Sequence, residues 1–120
     1  MTLSNERCVA CRRDSPRVTE EEKAVLHAQV PEWVVTDADG IDRVERTFRF
    51  PDFAQALEFT VQIGNEAEAE GHHPRLTAEW GRVGVEWWTH KIKGLHRNDF
   101  VMAAKTDEFY AKLTQAAIEA

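Results

Sequence analysis

Three of the five histidines, His72, His73 and His90, stand at the boundaries of regular segments rather than inside them, with Glu68 before them and Asp99 after. Imidazole is the side chain whose ordinary pKa lies near neutrality, so a cluster of this kind can both give and take protons. Glu68 precedes His72 by one helical turn and can orient one ring or hold its charge. Asp99 can do the same from the loop after His90. Three imidazoles and a carboxylate also suit zinc, although adjacent histidines usually point apart, which makes joint ligation awkward. A third reading involves no chemistry at all. Paired histidines at a helix end can satisfy its last carbonyls, Glu68 can be a solvated charge, and Trp80, Trp87 and Trp88 can be core or interface packing. Spacing alone does not choose among the three.

The elements that must position these groups are legible in the chain. Thr19 before Glu20-Glu21-Glu22 marks a helix start, with a hydroxyl cap, an acidic first turn and Glu22 placed for a capping box; the helix should run to about Val30 and stop before Pro31. Trp33 to Thr36 reads as a strand, Asp37 to Gly40 as a turn, and Ile41 to Phe50 as the second strand of a hairpin. In that second strand Val44, Arg46, Phe48 and Phe50 share a mainly apolar face, and Arg43, Glu45, Thr47 and Arg49 share a wet one.

Pro51 and Asp52 open the next helix, with Pro at its first position. Phe53, Leu57, Val61 and Gly64, joined by Ala56, Thr60 and Ala67, form its expected buried stripe. Continuing that stripe puts Glu68 near the buried edge and points Glu66 and Glu70 to water. Gly71 is a C-terminal cap. Strands follow over Arg75 to Trp80 and Val83 to about Thr89, with Val83, Val85 and Trp87 on one side and Glu86, Trp88 and His90 on the other. A loop with Gly94, Asn98 and Asp99 leads to a last helix presenting Phe100, Ala103, Ala104, Phe109 and Leu113 to the core. The order is helix, two strands, helix, two strands, helix, and its simplest packing is an antiparallel sheet covered on one face by helices.

The 120 residues suit one domain, expected over 18–120, with 1–17 as a flexible N-terminal extension. A net charge of −6 and the lack of clustered Lys and Arg exclude nucleic acid as the main partner. No apolar run is long enough to span a bilayer, and MTLSNERCVACRRD lacks the apolar segment of a signal peptide, so a membrane role is excluded and the cytoplasm is the expected location. There Cys8 and Cys11 should remain thiols. Their C-x-x-C spacing is half a zinc site with no second pair evident.

The set Glu68-x-x-x-His72-His73-Pro74, Trp80, His90 and Asp99 resembles the signature of the pterin-4a-carbinolamine dehydratases in order and spacing. The likeness extends through Pro31-x-Trp33, Phe48 to Phe53 and Thr89-His90-x-x-x-Gly94-Leu95, covering the chain from about residue 19. Gly94 to Thr106 is similar to bacterial members paired with a phenylalanine hydroxylase. Gly71 departs from the pattern, since animal members carry an acid there.

This resemblance implies an α+β fold, α-β-β-α-β-β-α, with a four-stranded antiparallel sheet and three helices on one face. It implies a homodimer or homotetramer and an enzyme, a hydro-lyase that converts 4a-hydroxytetrahydropterin to quinonoid dihydropterin and water in the recycling of the cofactor of an aromatic amino acid hydroxylase. No metal and no cofactor are implied. His72 and His90 are the main acid–base candidates, and His73 orients substrate and shares in proton transfer. Gly71, His72, His73, Trp88, Thr89, His90 and Lys91 are expected at the pterin, with Glu68 and Asp99 in support. All three histidines lie at element boundaries, so their truncation should cost little stability. The alternative within the same fold is a non-catalytic dimerisation or regulatory adaptor.

Overall fold

The computed structural model describes residues 2–119; Met1 and Ala120, the outer ends of the expected extension and domain, lie outside the described residues. Helix α1 (Glu20–His27) begins with a complete capping box: the Thr19 hydroxyl accepts from the Glu22 amide and the Glu22 carboxylate accepts from the Thr19 amide. It ends short of the expected Val30, because the chain turns through 28–32 and delivers Val30 and Trp33, each 1% exposed, to the core. Strands β1 (Val34–Ala38) and β2 (Ile41–Arg49) form the hairpin. Its two-residue turn, Asp39 and Gly40, has φ of 55° and 78°, the left-handed pair that matches the twist of the flanking strands.

Helix α2 (Phe53–Glu70) is capped by Asp52, whose carboxylate accepts from the Gln55 amide at 2.8 Å, so Pro51 stands just before the cap rather than at the first helical position. Strands β3 (Arg75–Glu79) and β4 (Arg82–Trp87) follow, then α3 (Arg97–Glu119). The four antiparallel strands lie in the order β1-β2-β4-β3, with three α-helices completing the α+β order read from the sequence. Val44 pairs with Trp87, Phe48 with Val83, and Leu76 with Val85. The alternation therefore sends Val44, Phe48, Val83, Val85 and Trp87, all at most 1% exposed, into one core beneath the helices.

The buried face of α2 keeps Ala56 and Ala67 of the expected stripe but is completed by Phe59 and Ile63 in place of Phe53, Leu57 and Val61. Ala56, Phe59, Ile63 and Ala67 are at most 1% exposed, whereas Phe53, Leu57 and Val61 are 45%, 46% and 52% exposed. Both sets have helical spacing, so periodicity permits either; the Phe59 ring packs at 4.9 Å from Phe48 and 5.1 Å from Phe50, and this contact with the sheet fixes the rotation. Extending the true stripe by three residues from Ala67 lands on Glu70. Accordingly the Glu70 side chain is 3% exposed and that of Glu68 is 79% exposed, the reverse of the expectation from the misplaced stripe. Glu66 is also partly covered, with its side chain 29% exposed.

The stretch before α1 lies against the domain. Leu3, in a short 3-10 turn at Leu3–Asn5, is 2% exposed within the core cluster, and Glu6 receives a two-pronged ion pair from Arg97 at 2.8 and 2.7 Å. Cys8 and Cys11 are free thiols.

Candidate functional site

At the C-terminal end of α2, Gly71 takes φ +64°, the left-handed cap that a residue without a Cβ adopts most readily. The His72 amide then donates back to the Ala67 carbonyl at 3.1 Å. This closure turns the chain sharply and separates two neighbouring side chains. His72 points inward, its side chain 9% exposed, while that of His73 is 57% exposed.

Two contacts fix His72. Its ring stacks on the buried indole of Trp87, with centroids 5.8 Å apart and planes at 12°. Its Nε2 donates to Asp99 Oδ1 at 2.6 Å, which leaves the lone pair on Nδ1 in the neutral ring. Asp99 is wholly buried and fully engaged: its other oxygen accepts from the Thr89 hydroxyl at 2.8 Å and the His96 amide at 2.9 Å. A buried carboxylate is tolerable only with such partners, and the N-terminal turn of α3 adds a favourable dipole. The sequence placed Asp99 in the loop after His90 as a support for one of the rings; it stands instead in the first turn of α3. From there it holds His72 and also reaches Thr89 just past the end of β4.

His73 Nε2 meets Glu68 Oε1 at 2.8 Å in the open. His90 opens a short 3-10 turn, His90–Ile92, just past β4. Its exposed ring lies 4.5 Å from the Trp88 ring, and Trp88 is in turn covered by the Arg43 guanidinium at 4.2 Å. Arg43 is itself buried against Glu86, at 3.1 Å.

The histidines converge on one cavity of about 590 Å³. Gly71, His72 and His73 form one side and Thr89, His90 and Lys91 another. Three residues expected at the ligand stand behind these walls: Asp99 behind His72, Glu68 behind His73 and Trp88 against His90. The truncation expectation changes for one member of the set, since His72 is buried and its loss would strand the Asp99 charge.

The remaining side consists of Val9, Ala10, Cys11 and Glu70. Of these, the sequence names Glu70 only as a group pointing to water and as one of the acids that could replace the one missing at Gly71, Cys11 only as a thiol or half a zinc site, and Val9 and Ala10 not at all. Burial pushes the Cys8 thiol up to about 12, with Glu70 adding to the effect, and burial also raises Cys11. Burial would raise the Glu70 carboxyl, but the Cys8 amide and the Arg7 and Lys105 charges outweigh it and hold the group below its ordinary value. Burial lowers His96, whose Nδ1 accepts from the Asn98 amide at 3.0 Å. Among the described residues no group of three or more His, Cys, Asp or Glu side chains is arranged to hold a metal ion. No described helix is long and apolar enough to cross a membrane.

Comparison with known proteins bears on what this cavity serves. The family described as pterin 4 alpha carbinolamine dehydratase matches residues 16–109. A Gloeobacter violaceus protein provisionally named pterin-4-alpha-carbinolamine dehydratase 1 is 58% identical over 94% of this chain and 97% of its own length. One from Syntrophotalea carbinolica, also provisionally named pterin-4-alpha-carbinolamine dehydratase, is 55% identical over 88% of this chain and 94% of its own. Among solved structures, a transcriptional coactivator/pterin dehydratase from Brucella melitensis superimposes with a TM-score of 0.71 at 32% identity, covering 79% of this chain and 99% of that one.

Proposed function

Since the chain belongs to the pterin 4 alpha carbinolamine dehydratase family, we propose that it is an enzyme, a lyase that removes water from 4a-hydroxytetrahydropterin to give quinonoid dihydropterin. The C4a–O bond breaks as a proton is delivered to the departing hydroxyl, and the N5 proton leaves as the C4a=N5 double bond forms. Two protons move and no electrons are exchanged with an outside group. The reaction therefore asks for positioned acids and bases, each worth about 100- to 10,000-fold. The observation that carries the reading is the meeting of His72, His73 and His90 on a single cavity.

In this reading His72 and His90 exchange the two protons and His73 orients the pterin. The buried Asp99 carboxylate holds the His72 ring and balances charge when it takes up a proton. Physiologically the enzyme would recycle the cofactor of an aromatic amino acid hydroxylase, such as a phenylalanine hydroxylase, in the cytoplasm, where Cys8 and Cys11 stay reduced. We assign the domain to 18–120, with the preceding residues as an addition to it. The test is a stopped assay of carbinolamine dehydration with and without the protein. A rate equal to the spontaneous one would reject the proposal.

A second copy of the chain is the proposed partner. Phe53, Leu57 and Val61 recur every four residues on the exposed side of α2, and Trp80 is 73% exposed at the β3–β4 turn. An apolar stripe of this kind on a small domain is typical of an interface. Light scattering should give a dimer or tetramer, and Leu57→Glu should lower the mass. The same stripe favours the adaptor alternative, as does the coactivator wording attached to the Brucella melitensis protein. A folded, oligomeric protein without dehydration activity would select it.

A further inference from the structure

The wall of the cavity formed by Val9, Ala10 and Cys11 lies before residue 16, where the family match begins. Its backbone is clamped from two directions. Glu70 Oε1 accepts from the Cys8 amide at 2.7 Å and Oε2 from Arg7 Nε at 2.6 Å. The Asn98 carboxamide, on a residue 3% exposed, accepts from the Val9 amide at 3.1 Å and donates to the Val9 carbonyl at 2.7 Å, as a neighbouring strand would. Lys91 Nζ donates to the Cys11 carbonyl at 3.1 Å, and Asn98 Nδ2 lies 3.4 Å from Cys11 Sγ.

Each anchor adjoins a residue that shapes the site. Glu70 precedes Gly71 and His72; Asn98 precedes Asp99, which holds His72; Lys91 follows His90. The segment is therefore registered to the histidines by the same three points of the fold that carry them. A merely attached tail would have no such requirement, and its main chain would not both donate to and accept from a buried carboxamide.

We infer that residues 7–11 form a built wall of the substrate site, that Cys11 contacts the bound pterin, and that Asn98 and Glu70 are positioning residues acting through this segment. The inference rests on the dehydratase reading of the cavity. The wall makes binding contacts away from the reacting C4a and N5, so it contributes equally to ground state and transition state. Its loss should appear in KM rather than kcat.

The experiment uses the full chain and 7,8-dihydropterin, a stable isomer of the product. Tryptophan fluorescence reports binding, and mass spectrometry after iodoacetamide treatment reports Cys11 and Cys8 separately. At a ligand concentration about ten times Kd, mass action leaves roughly one site in eleven empty, so Cys11 alkylation should slow at least about fivefold. Asn98→Ala should raise KM for the carbinolamine at least about fivefold with kcat within about twofold, and should weaken the ligand protection of Cys11. Binding with unchanged Cys11 alkylation, or an unchanged KM in folded Asn98→Ala, overturns the inference and leaves the dehydratase reading standing. Absence of both dihydropterin binding and turnover removes that reading and the inference with it.

Discussion

His72 and His73 are covalent neighbours, each paired through Nε2 with a carboxylate at nearly the same distance, 2.6 Å to Asp99 and 2.8 Å to Glu68. Their surroundings differ in every other respect. Asp99 is 0% exposed and receives three hydrogen bonds; the Glu68 side chain is 79% exposed and its bond to His73 bridges only five residues. Removal from water makes the first pair a rigid element of the site, because stranding either partner there leaves a buried charge or donor unsatisfied. The second pair is screened by solvent and adds little to folding. Two similar distances thus describe one fixed ring and one adjustable ring.

The contrast is tested most severely by Asp99→Ala, which leaves His72 Nε2, the Thr89 hydroxyl and the His96 amide without their acceptor. It should cost about 3 kcal/mol and lower the melting temperature by roughly 10 °C, with loss of dehydration activity. A calorimetric scan within about 2 °C of the parent would erase the distinction between the pairs.

Next in size are the histidines. His72→Ala and His90→Ala should each lower kcat at least about tenfold, while His73→Ala should weaken substrate binding at least as much as turnover. Thermal melts sharpen the comparison: only His72→Ala should lose stability visibly, since His73 and His90 are exposed. Equal losses at all three positions would mean that burial does not separate them.

Acid gives a smaller effect. The folded Glu70 carboxyl lies below its ordinary value of 4.5, so the stability it supplies is present above that pH and is lost as pH falls through the lowered value. Hydrogen exchange at the Cys8 and Val9 amides should therefore quicken below about pH 4.5, once the intrinsic exchange rate is allowed for, and Glu70→Gln should remove most of that pH dependence. Smallest is Glu68→Ala, expected to change stability by less than about 0.5 kcal/mol and to become still less visible at high salt. A urea titration showing a loss above about 1 kcal/mol would put Glu68 in the same class as Asp99.

Much of this arrangement was legible in the chain because it is local. The Thr19 to Glu22 capping box, the Gly71 cap and the alternation of Val83, Val85 and Trp87 each depend on residues a few positions apart, and each is found. The side chains capable of proton transfer were also plain, since residue type settles which groups titrate. The rotation of α2 was not legible. Its sequence carries two apolar stripes, Phe53-Leu57-Val61 and Ala56-Phe59-Ile63-Ala67, and a helical period fits both. Choosing between them requires knowing where Phe48 of the inner strand β2, and Phe50 just beyond it, will stand.

From that single choice follow the exposure of Glu68 and the burial of Glu70, and with Glu70 the docking of residues 7–11. The pairing of Asp99 with His72, across 27 residues, depends likewise on packing, here of the first turn of α3 against the Gly71 turn. The sequence by itself determined which elements form, where they are capped and which groups can carry protons, because those depend on backbone preferences and chemistry within a few residues. Only the tertiary structure decided which carboxylate holds which histidine and what closes the cavity, because burial and partnership are set by surfaces that meet only after the helices have packed on the sheet.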